Sequence, residues 1–337
     1  MNSQLISRER AASTVGSGIA SCRDLISTRD LGPRGVAAVL DLAAIMKSRP
    51  ADFRGALLGK QMALFFEKPS LRTRLTFEAG MSSLGGCSYF VDQTNGRLDA
   101  REKLSDMARN LERWMDVIVL RTFSQATIEG MAAHASIPVI NALSDMEHPC
   151  QALADYLTLQ ERFGDVKNLT LAYVGDGNNV AHSLLLTCAC LGSTIRCATP
   201  EGYDPNAEIV SDAMEIAKET GARLELVRDP HAAAAGADAV YNDAWASMGG
   251  EHEAKKRANV FPPYQVNPAL IAEAASHAVF MHCLPAHRGQ EVTDAVIDSK
   301  QSVVFDQAEN RLHVQKAILY LLLGGGGSYL RSRSAYV

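Results

Sequence analysis

Two series of short apolar runs, separated by segments of helical pattern, constrain the fold of this chain most strongly. The first series reads QMALFFE, CSYFVDQ, VIVLRTF and IPVINAL, and the second reads LTLAYVGD, TIRCATP, RLELVRD, AVYNDAW, AVFMHCLPA and SVVFDQ. Short runs that are apolar and rich in β-branched residues are typical of strands buried on both faces. Because helical patterns lie between them, we predict an α/β fold with two doubly wound parallel-sheet domains joined by helices.

The length also favours two domains, since 337 residues exceed the size at which one core usually stops growing. The series break at SDMEHPCQALADYLTLQERFG, where a proline at the first turn predicts a helix from about Pro149 to Phe163. We predict a first domain over residues 1–148, completed by a C-terminal helix over 308–323, and a second domain over 149–307. The glycine-rich segment 324–337 is predicted to be a flexible tail.

The composition and net charge of the chain argue against several classes of protein. The net charge of −5 disfavours a general nucleic-acid binder, and no apolar run reaches the ~18 residues of a membrane span. The seven cysteines are an odd number in a large chain, which favours a reducing cytoplasm over a disulfide framework. Cys188 and Cys190 lie in an apolar helical run, so we predict buried thiols rather than metal ligands. The first ~20 residues are rich in Ser and Arg, which leaves a targeting segment open.

Polar clusters follow the predicted strands, at the edge where open parallel sheets bind ligands. In EKPSLRTR, a helix that begins near Ser70 would offer free N–H groups to an anion, with Arg72 and Arg74 beside it. A capped turn with solvated arginines explains the same residues, so both interpretations stay open. GDGNNVA matches a dinucleotide-binding turn only in part, and Cys283 in HCLP suits either a nucleophile or a packed thiol. No catalytic triad or metal-ligand set emerges.

Seven motifs, taken in order, resemble the ornithine carbamoyltransferase family. They are SLRTR (70–74), RTF (121–123), HPCQ (148–151), GDGNN (175–179), DAWASMG (243–249), HCLP (282–285) and ENR (309–311). The resemblance implies an enzyme that transfers the carbamoyl group of carbamoyl phosphate to the side-chain amine of L-ornithine, giving L-citrulline and phosphate. It implies a homotrimer or a multiple of it, two small-molecule substrates, and no metal or organic cofactor.

The resemblance also implies roles for individual residues. Those expected to bind carbamoyl phosphate are Ser70, Leu71, Arg72, Thr73, Arg121, His148, Gln151, Cys283, Leu284 and Arg311. Those expected to bind ornithine are Asn179, Asp243, Ser247 and Met248. The catalytic set is expected to be Arg72, His148, Asp243, Cys283 and Arg311.

The chain departs from the family pattern at three places. Leu71 stands where the family usually has Thr, and Gly250 where it often has Gln. The loop 99–103 also differs, and Arg101 or Lys103 in it is a candidate phosphate contact to a neighbouring subunit. Three alternatives remain: a carbamoyltransferase for putrescine or an acylated ornithine, an NAD(P)-dependent dehydrogenase, and a non-catalytic anion-binding protein.

Overall fold

The computed structural model describes residues 22–93, 97–100, 102–246 and 253–324. The chain divides into two compact units, which we call unit 1 (Met1–Asp145 with Arg311–Val337) and unit 2 (Met146–Asn310). Each unit contains one parallel sheet.

The sheet of unit 1 has four strands in the order β2-β1-β3-β4. The strands are β1 (Gln61–Phe66), β2 (Cys87–Asp92), β3 (Val117–Arg121) and β4 (Val139–Leu143). The helices are α1 (Gly32–Ser48), α2 (Leu71–Ser83), α3 (Leu104–Leu111) and α4 (Gln125–Ala132). The chain leaves β1 on one side for β2 and on the other for β3, so the order reverses between β1 and β3.

The sheet of unit 2 has five strands in the order β7-β6-β5-β8-β9. They are β5 (Thr170–Val174), β6 (Thr194–Ala198), β7 (Arg223–Val227), β8 (Ala239–Asn242) and β9 (Val279–His282). The helices are α5 (Pro149–Phe163), α6 (Asn179–Leu191), α7 (Ala207–Thr220), α8 (Pro230–Ala234), α9 (Ala254–Val260), α10 (Pro268–Ile271) and α11 (Asp294–Ile297). Here the order reverses between β5 and β8. In open α/β sheets such reversal points are where ligands bind.

Nine of the ten predicted strands are present, and the tenth is wrong. In SVVFDQ only Ser302 pairs with the sheet, through a single bridge to Phe280. The helix α12 (Val304–Leu322) begins two residues later. Val303 and Val304 are buried while Phe305 is 73% exposed, a pattern that one turn of helix produces as readily as a short strand. The predicted C-terminal helix therefore starts four residues earlier than expected.

Two features relate to the environment that the composition predicts: the state of the cysteines and the apolar length of the helices. All seven cysteines lie within the described residues, and none of them forms a disulfide bond. Burial raises the pKa of Cys188 to about 11 and that of Cys190 to about 12. Such thiols stay protonated at neutral pH and are poor metal ligands. Among the described residues, no helix is long and apolar enough to cross a bilayer.

Candidate active site

The reversal point of the first sheet is held by the carboxylate of Glu67. Phe66 and Arg121 lie side by side at the ends of β1 and β3, and Glu67 follows directly. Its two carboxylate oxygens accept from the backbone N–H groups of Leu98, at 2.7 Å, and Phe123, at 2.8 Å. Glu67 is only 2% exposed, so these bonds compensate for burying its charge. This residue fixes the loops beside the predicted anion site.

The predicted anion site contains the first turn of α2. Ser70 is the N-cap, and its hydroxyl oxygen accepts from the Thr73 N–H at 3.2 Å. The Thr73 hydroxyl in turn accepts from Nη2 of Arg311 at 2.5 Å. The structure thus brings Ser70, Thr73 and Arg311 together although 238 residues separate the last two. The N–H groups of a helix's first turn, its positive dipole end and a guanidinium suit a phosphate.

The other cations of this region have different environments. Arg121 is 7% exposed at the end of β3, and Arg72 is half-buried in α2. Arg74 lies on the outer side of the helix, where it pairs with Glu78 at 3.1 Å and stacks on Phe90 at 3.7 Å from the ring centroid. The contacts of Arg74 therefore support the helix and its neighbouring strand.

Of the positions where the chain departs from the family pattern, the structure describes Leu71 and Lys103. Leu71 is the first residue of α2 and its side chain is 70% exposed. Lys103 is the exposed N-cap residue of α3. Arg101 lies outside the described residues, as do Ser247, Met248 and Gly250.

The reversal point of the second sheet holds a carboxylate and a thiol. Asp243 directly follows β8, and its Oδ1 accepts from the Cys283 thiol at 2.9 Å and from the Ala244 N–H at 2.8 Å. Its Oδ2 accepts from the Asn178 amide at 2.7 Å. Asn178 also caps α6 by accepting from two backbone N–H groups. The cap and the bond to Asp243 were not predicted for Asn178, although an asparagine just before a helix is a recognisable capping signal. Asn179, the predicted ornithine ligand, is the first residue of the helix.

The side chain of His282 has other hydrogen-bond partners than the thiol of Cys283. Its Nδ1 accepts from the Leu284 N–H at 2.8 Å, so Nε2 carries the proton that faces Glu291 at 3.2 Å. Ligand atoms of Asp243, His282 and Cys283 lie within 4.8 Å of one another. Because both ring nitrogens are already engaged, His282 serves to hold the HCLP turn.

The HPCQ segment begins α5. His148 is the N-cap residue, 5% exposed, and its backbone N–H donates to Ser183 Oγ at 2.9 Å. Gln151 is 1% exposed, and its side-chain amide donates to Asp155 at 2.8 Å. The two predicted carbamoyl-binding residues thus lie in one helical turn, as their spacing predicts.

The glycine-rich turn after β5 does not offer the space that a dinucleotide needs. A Cβ added at Gly177 would overlap the backbone of residues 203–205. The glycine is therefore required by the approach of the chain's own backbone. A bound pyrophosphate would need that close approach for itself, so the dehydrogenase interpretation loses its only support.

A buried ion pair joins this turn to the segment after β8. Arg257 donates to Asp176 Oδ2 and to the Trp245 carbonyl oxygen, both at 2.6 Å. Burial raises the pKa of Asp176 to about 6, although the neighbouring Arg257 lowers it. The arginine therefore favours the ionised carboxylate and offsets part of the cost of burial.

Two family models match the chain. "Aspartate/ornithine carbamoyltransferase, carbamoyl-P binding domain" matches residues 23–161, and "Aspartate/ornithine carbamoyltransferase, Asp/Orn binding domain" matches residues 167–322. The chain belongs to the aspartate/ornithine carbamoyltransferase family. This confirms the resemblance predicted from the seven motifs, and with it the α/β fold.

Individual carbamoyltransferases agree with the family models. The ornithine carbamoyltransferase of Pyrococcus horikoshii is 48% identical over 305 residues, 90% of this chain and 96% of that protein. The enzyme of the same name from Gloeobacter violaceus is 49% identical over 304 residues, 90% of this chain and 96% of that protein. The solved structure of ornithine carbamoyltransferase from Pyrococcus furiosus has 47% identity and a TM-score of 0.87, and the match covers 90% of this chain and 98% of that one.

Proposed function

We propose that this chain transfers the carbamoyl group of carbamoyl phosphate to the side-chain amine of L-ornithine and releases L-citrulline and phosphate. The observation that carries the proposal is the carboxylate of Asp243 at the reversal point of the second sheet. A negative charge there suits a substrate whose side chain ends in an amine. It would repel the side-chain carboxylate of aspartate, the other amino acid in the family description.

Asp243 and Cys283 are proposed to flank the reacting amine. A primary amine of this kind has a pKa near ~10.4 and must lose a proton to become a nucleophile. Both carboxylate oxygens of Asp243 accept hydrogen bonds, so the group is arranged to orient an N–H group. Asn179, Ser247 and Met248 are proposed to hold the rest of the amino acid.

Carbamoyl phosphate is proposed to bind through its phosphate at Ser70, Leu71, Arg72, Thr73 and Arg121. The observations that support this are the N-terminal turn of α2 and the Arg311–Thr73 bond. His148, Gln151 and Arg311 are proposed to hold the carbamoyl group, with the backbone of Cys283 and Leu284.

In the reaction, the amine nitrogen bonds to the carbamoyl carbon and the carbon–oxygen bond to phosphate breaks. The departing phosphate accepts the amine proton. Negative charge develops on the carbamoyl oxygen, and the donors proposed to stabilise it are Arg72, His148 and Arg311. Each such donor typically contributes ~10²–10³-fold in rate.

We also propose that the protein is a homotrimer in the cytoplasm and that it works in arginine biosynthesis. Leu71 and Leu75 are 70% and 52% exposed and lie one turn apart on α2, as expected of an apolar surface that a neighbouring subunit covers. The absence of disulfides among the seven described cysteines favours a reducing compartment. A Pyrococcus furiosus relative is named as anabolic. Leu75→Asp should shift the mass measured by light scattering from trimer towards monomer.

In such a trimer, Arg101 or Lys103 is proposed to contact the phosphate bound to the neighbouring subunit. Mixed trimers that carry Arg72→Ala on one subunit and Arg101→Ala/Lys103→Ala on another test this. Full activity of the trimer that carries only the loop substitutions would exclude the contact.

The test of the proposed reaction is an assay of ureido product and phosphate with ornithine, putrescine, N-acetylornithine and aspartate. We expect turnover with ornithine. Product with putrescine or N-acetylornithine instead would assign a different amine, and binding of carbamoyl phosphate without turnover would indicate a binding protein.

A matched pair of variants tests the role of Asp243. Asp243 and Asp238 lie at opposite ends of β8, and Asp238 accepts from the Thr170 N–H at the far end. Asp243→Asn should lower kcat/KM for ornithine at least ~100-fold, as removal of a charge-positioning group does. Asp238→Asn should leave it within about threefold, because that end of the strand is remote from the reversal point.

A further inference from the structure

Gln151, the glutamine proposed to bind the carbamoyl group, is the first member of a chain of buried groups that are joined by hydrogen bonds. The Gln151 amide nitrogen donates to Asp155 Oδ1 at 2.8 Å, and the Gln307 amide nitrogen donates to the same oxygen at 2.7 Å. The Gln307 carbonyl oxygen accepts from the His282 backbone N–H at 3.0 Å. Gln151 is 1% exposed and the other three residues are fully buried.

The partner of each amide fixes its orientation. A side-chain amide has a donor end and an acceptor end of nearly the same shape. The oxygen of Asp155 that both glutamines contact accepts, so both turn their nitrogens towards it. Gln307 is held at both ends, since its oxygen already accepts from His282.

Gln151 is held only at its nitrogen end. Its carbonyl oxygen is buried and accepts no hydrogen bond from any described residue of the chain. A buried carbonyl without a donor is unfavourable, and a ligand N–H restores the bond. The amino group of a carbamoyl group is such a donor, whereas the methyl group of the otherwise similar acetyl group is not.

We propose that Asp155 is a positioning residue that fixes the Gln151 amide with its oxygen towards the carbamoyl amino group. It thereby makes the site prefer carbamoyl phosphate to acetyl phosphate. The inference rests on the proposed function. Asp155 acts through Gln151, and Gln307 ties it to the backbone of the HCLP turn at His282.

The test compares the dissociation constants of carbamoyl phosphate, acetyl phosphate and inorganic phosphate, measured by calorimetry. In Asp155→Leu the Gln151 amide has no fixed acceptor, so binding of carbamoyl phosphate should weaken about tenfold, as loss of one hydrogen bond predicts. Binding of acetyl phosphate and inorganic phosphate should change less than twofold, because neither ligand donates to Gln151.

Two further variants separate orientation from general damage. Asp155→Asn keeps an oxygen that accepts from both glutamines and should retain the preference for carbamoyl phosphate within threefold. Thr158→Val, one turn along α5, removes the hydroxyl that accepts from Asn310 at 3.0 Å but leaves Gln151 in place. It should leave the ratio of the three dissociation constants unchanged.

Equal weakening of all three ligands in Asp155→Leu would show a purely structural role and overturn the proposal, as would unchanged binding of carbamoyl phosphate. If Asp155→Leu does not fold, Asp155→Ala provides the same comparison. A water molecule in the space left by the Asp155 side chain donates as well as accepts, so it does not fix the orientation of the Gln151 amide. Failure of the wild-type protein to bind carbamoyl phosphate would instead refute the proposed function.

Discussion

The thiol of Cys283 donates to the carboxylate of Asp243 across 2.9 Å, although the two residues directly follow different strands. β8 and β9 are neighbours in parallel register, with Asn242 opposite His282. The next residue of each strand therefore reaches the same edge of the sheet, and the pair follows from the strand order. Among the described residues, Asp243 also accepts hydrogen bonds from Asn178 and Ala244.

Cys283→Ala should raise KM for ornithine about tenfold and leave KM for carbamoyl phosphate within threefold. The variant removes one donor that orients Asp243, and a hydrogen bond to a charged group is worth ~1.5–3 kcal/mol. Steady-state kinetics measure both constants. Cys283→Ser retains a donor and should recover most of the loss, and Cys87→Ala, at an exposed thiol of β2, is the control. An equal rise in both KM values would contradict the role proposed for Cys283.

Glu67→Gln should lower the free energy of unfolding by ~1–3 kcal/mol. Glu67 accepts from two backbone N–H groups, and an amide in its place turns an NH₂ group towards one of them. Denaturant unfolding gives the difference. Glu78→Gln is the control, because Glu78 pairs with a partly exposed Arg74 and such pairs contribute ~0–1 kcal/mol. A loss no larger than that of the control would contradict this account of Glu67.

The stability of the protein should depend on pH through Asp176. Burial raises the pKa of Asp176 from 3.8 to about 6 in the folded chain. Between these values the folded state binds a proton that the unfolded state lacks, so the contribution of this group falls as the pH rises from about 4 to 6 and is constant above that. The difference of about two pKa units corresponds to roughly 3 kcal/mol.

Asp176→Asn should remove this part of the pH dependence. Urea unfolding at several pH values between 4 and 7 measures it for both proteins. Arg257 keeps its bonds to Trp245 and Glu253 in the variant, so the comparison isolates the titration of Asp176. Parallel stability curves for the two proteins would contradict the assignment.

The sequence predicted the strands well because each buried strand of a parallel sheet is a short apolar run with a turn signal behind it. It failed at SVVFDQ, where burial of Val303 and Val304 fits a strand and a helix start equally well. It also predicted that polar clusters follow strand ends, as the segments after β1, β8 and β9 do.

What the sequence did not predict is which buried polar groups support the site. Glu67, Asp155 and Gln307 bond to residues distant in the chain or to its backbone. Such pairings depend on the tertiary structure, and neither periodicity nor spacing contains them. The cap at Asn178 could have been predicted, because an asparagine just before a helix is a capping signal.

Leu71→Thr tests the position where this chain departs from the pattern of its family. Leu71 is the first residue of α2, and its side chain is 70% exposed. A ligand at this end of α2 would accept from the backbone N–H of residue 71, which leucine and threonine both provide. We therefore expect KM for carbamoyl phosphate to change less than threefold. Leu71→Pro, which removes the N–H at a helix position that tolerates proline, should raise KM about tenfold. A large decrease of KM in Leu71→Thr would instead show that the missing hydroxyl limits phosphate binding in this chain.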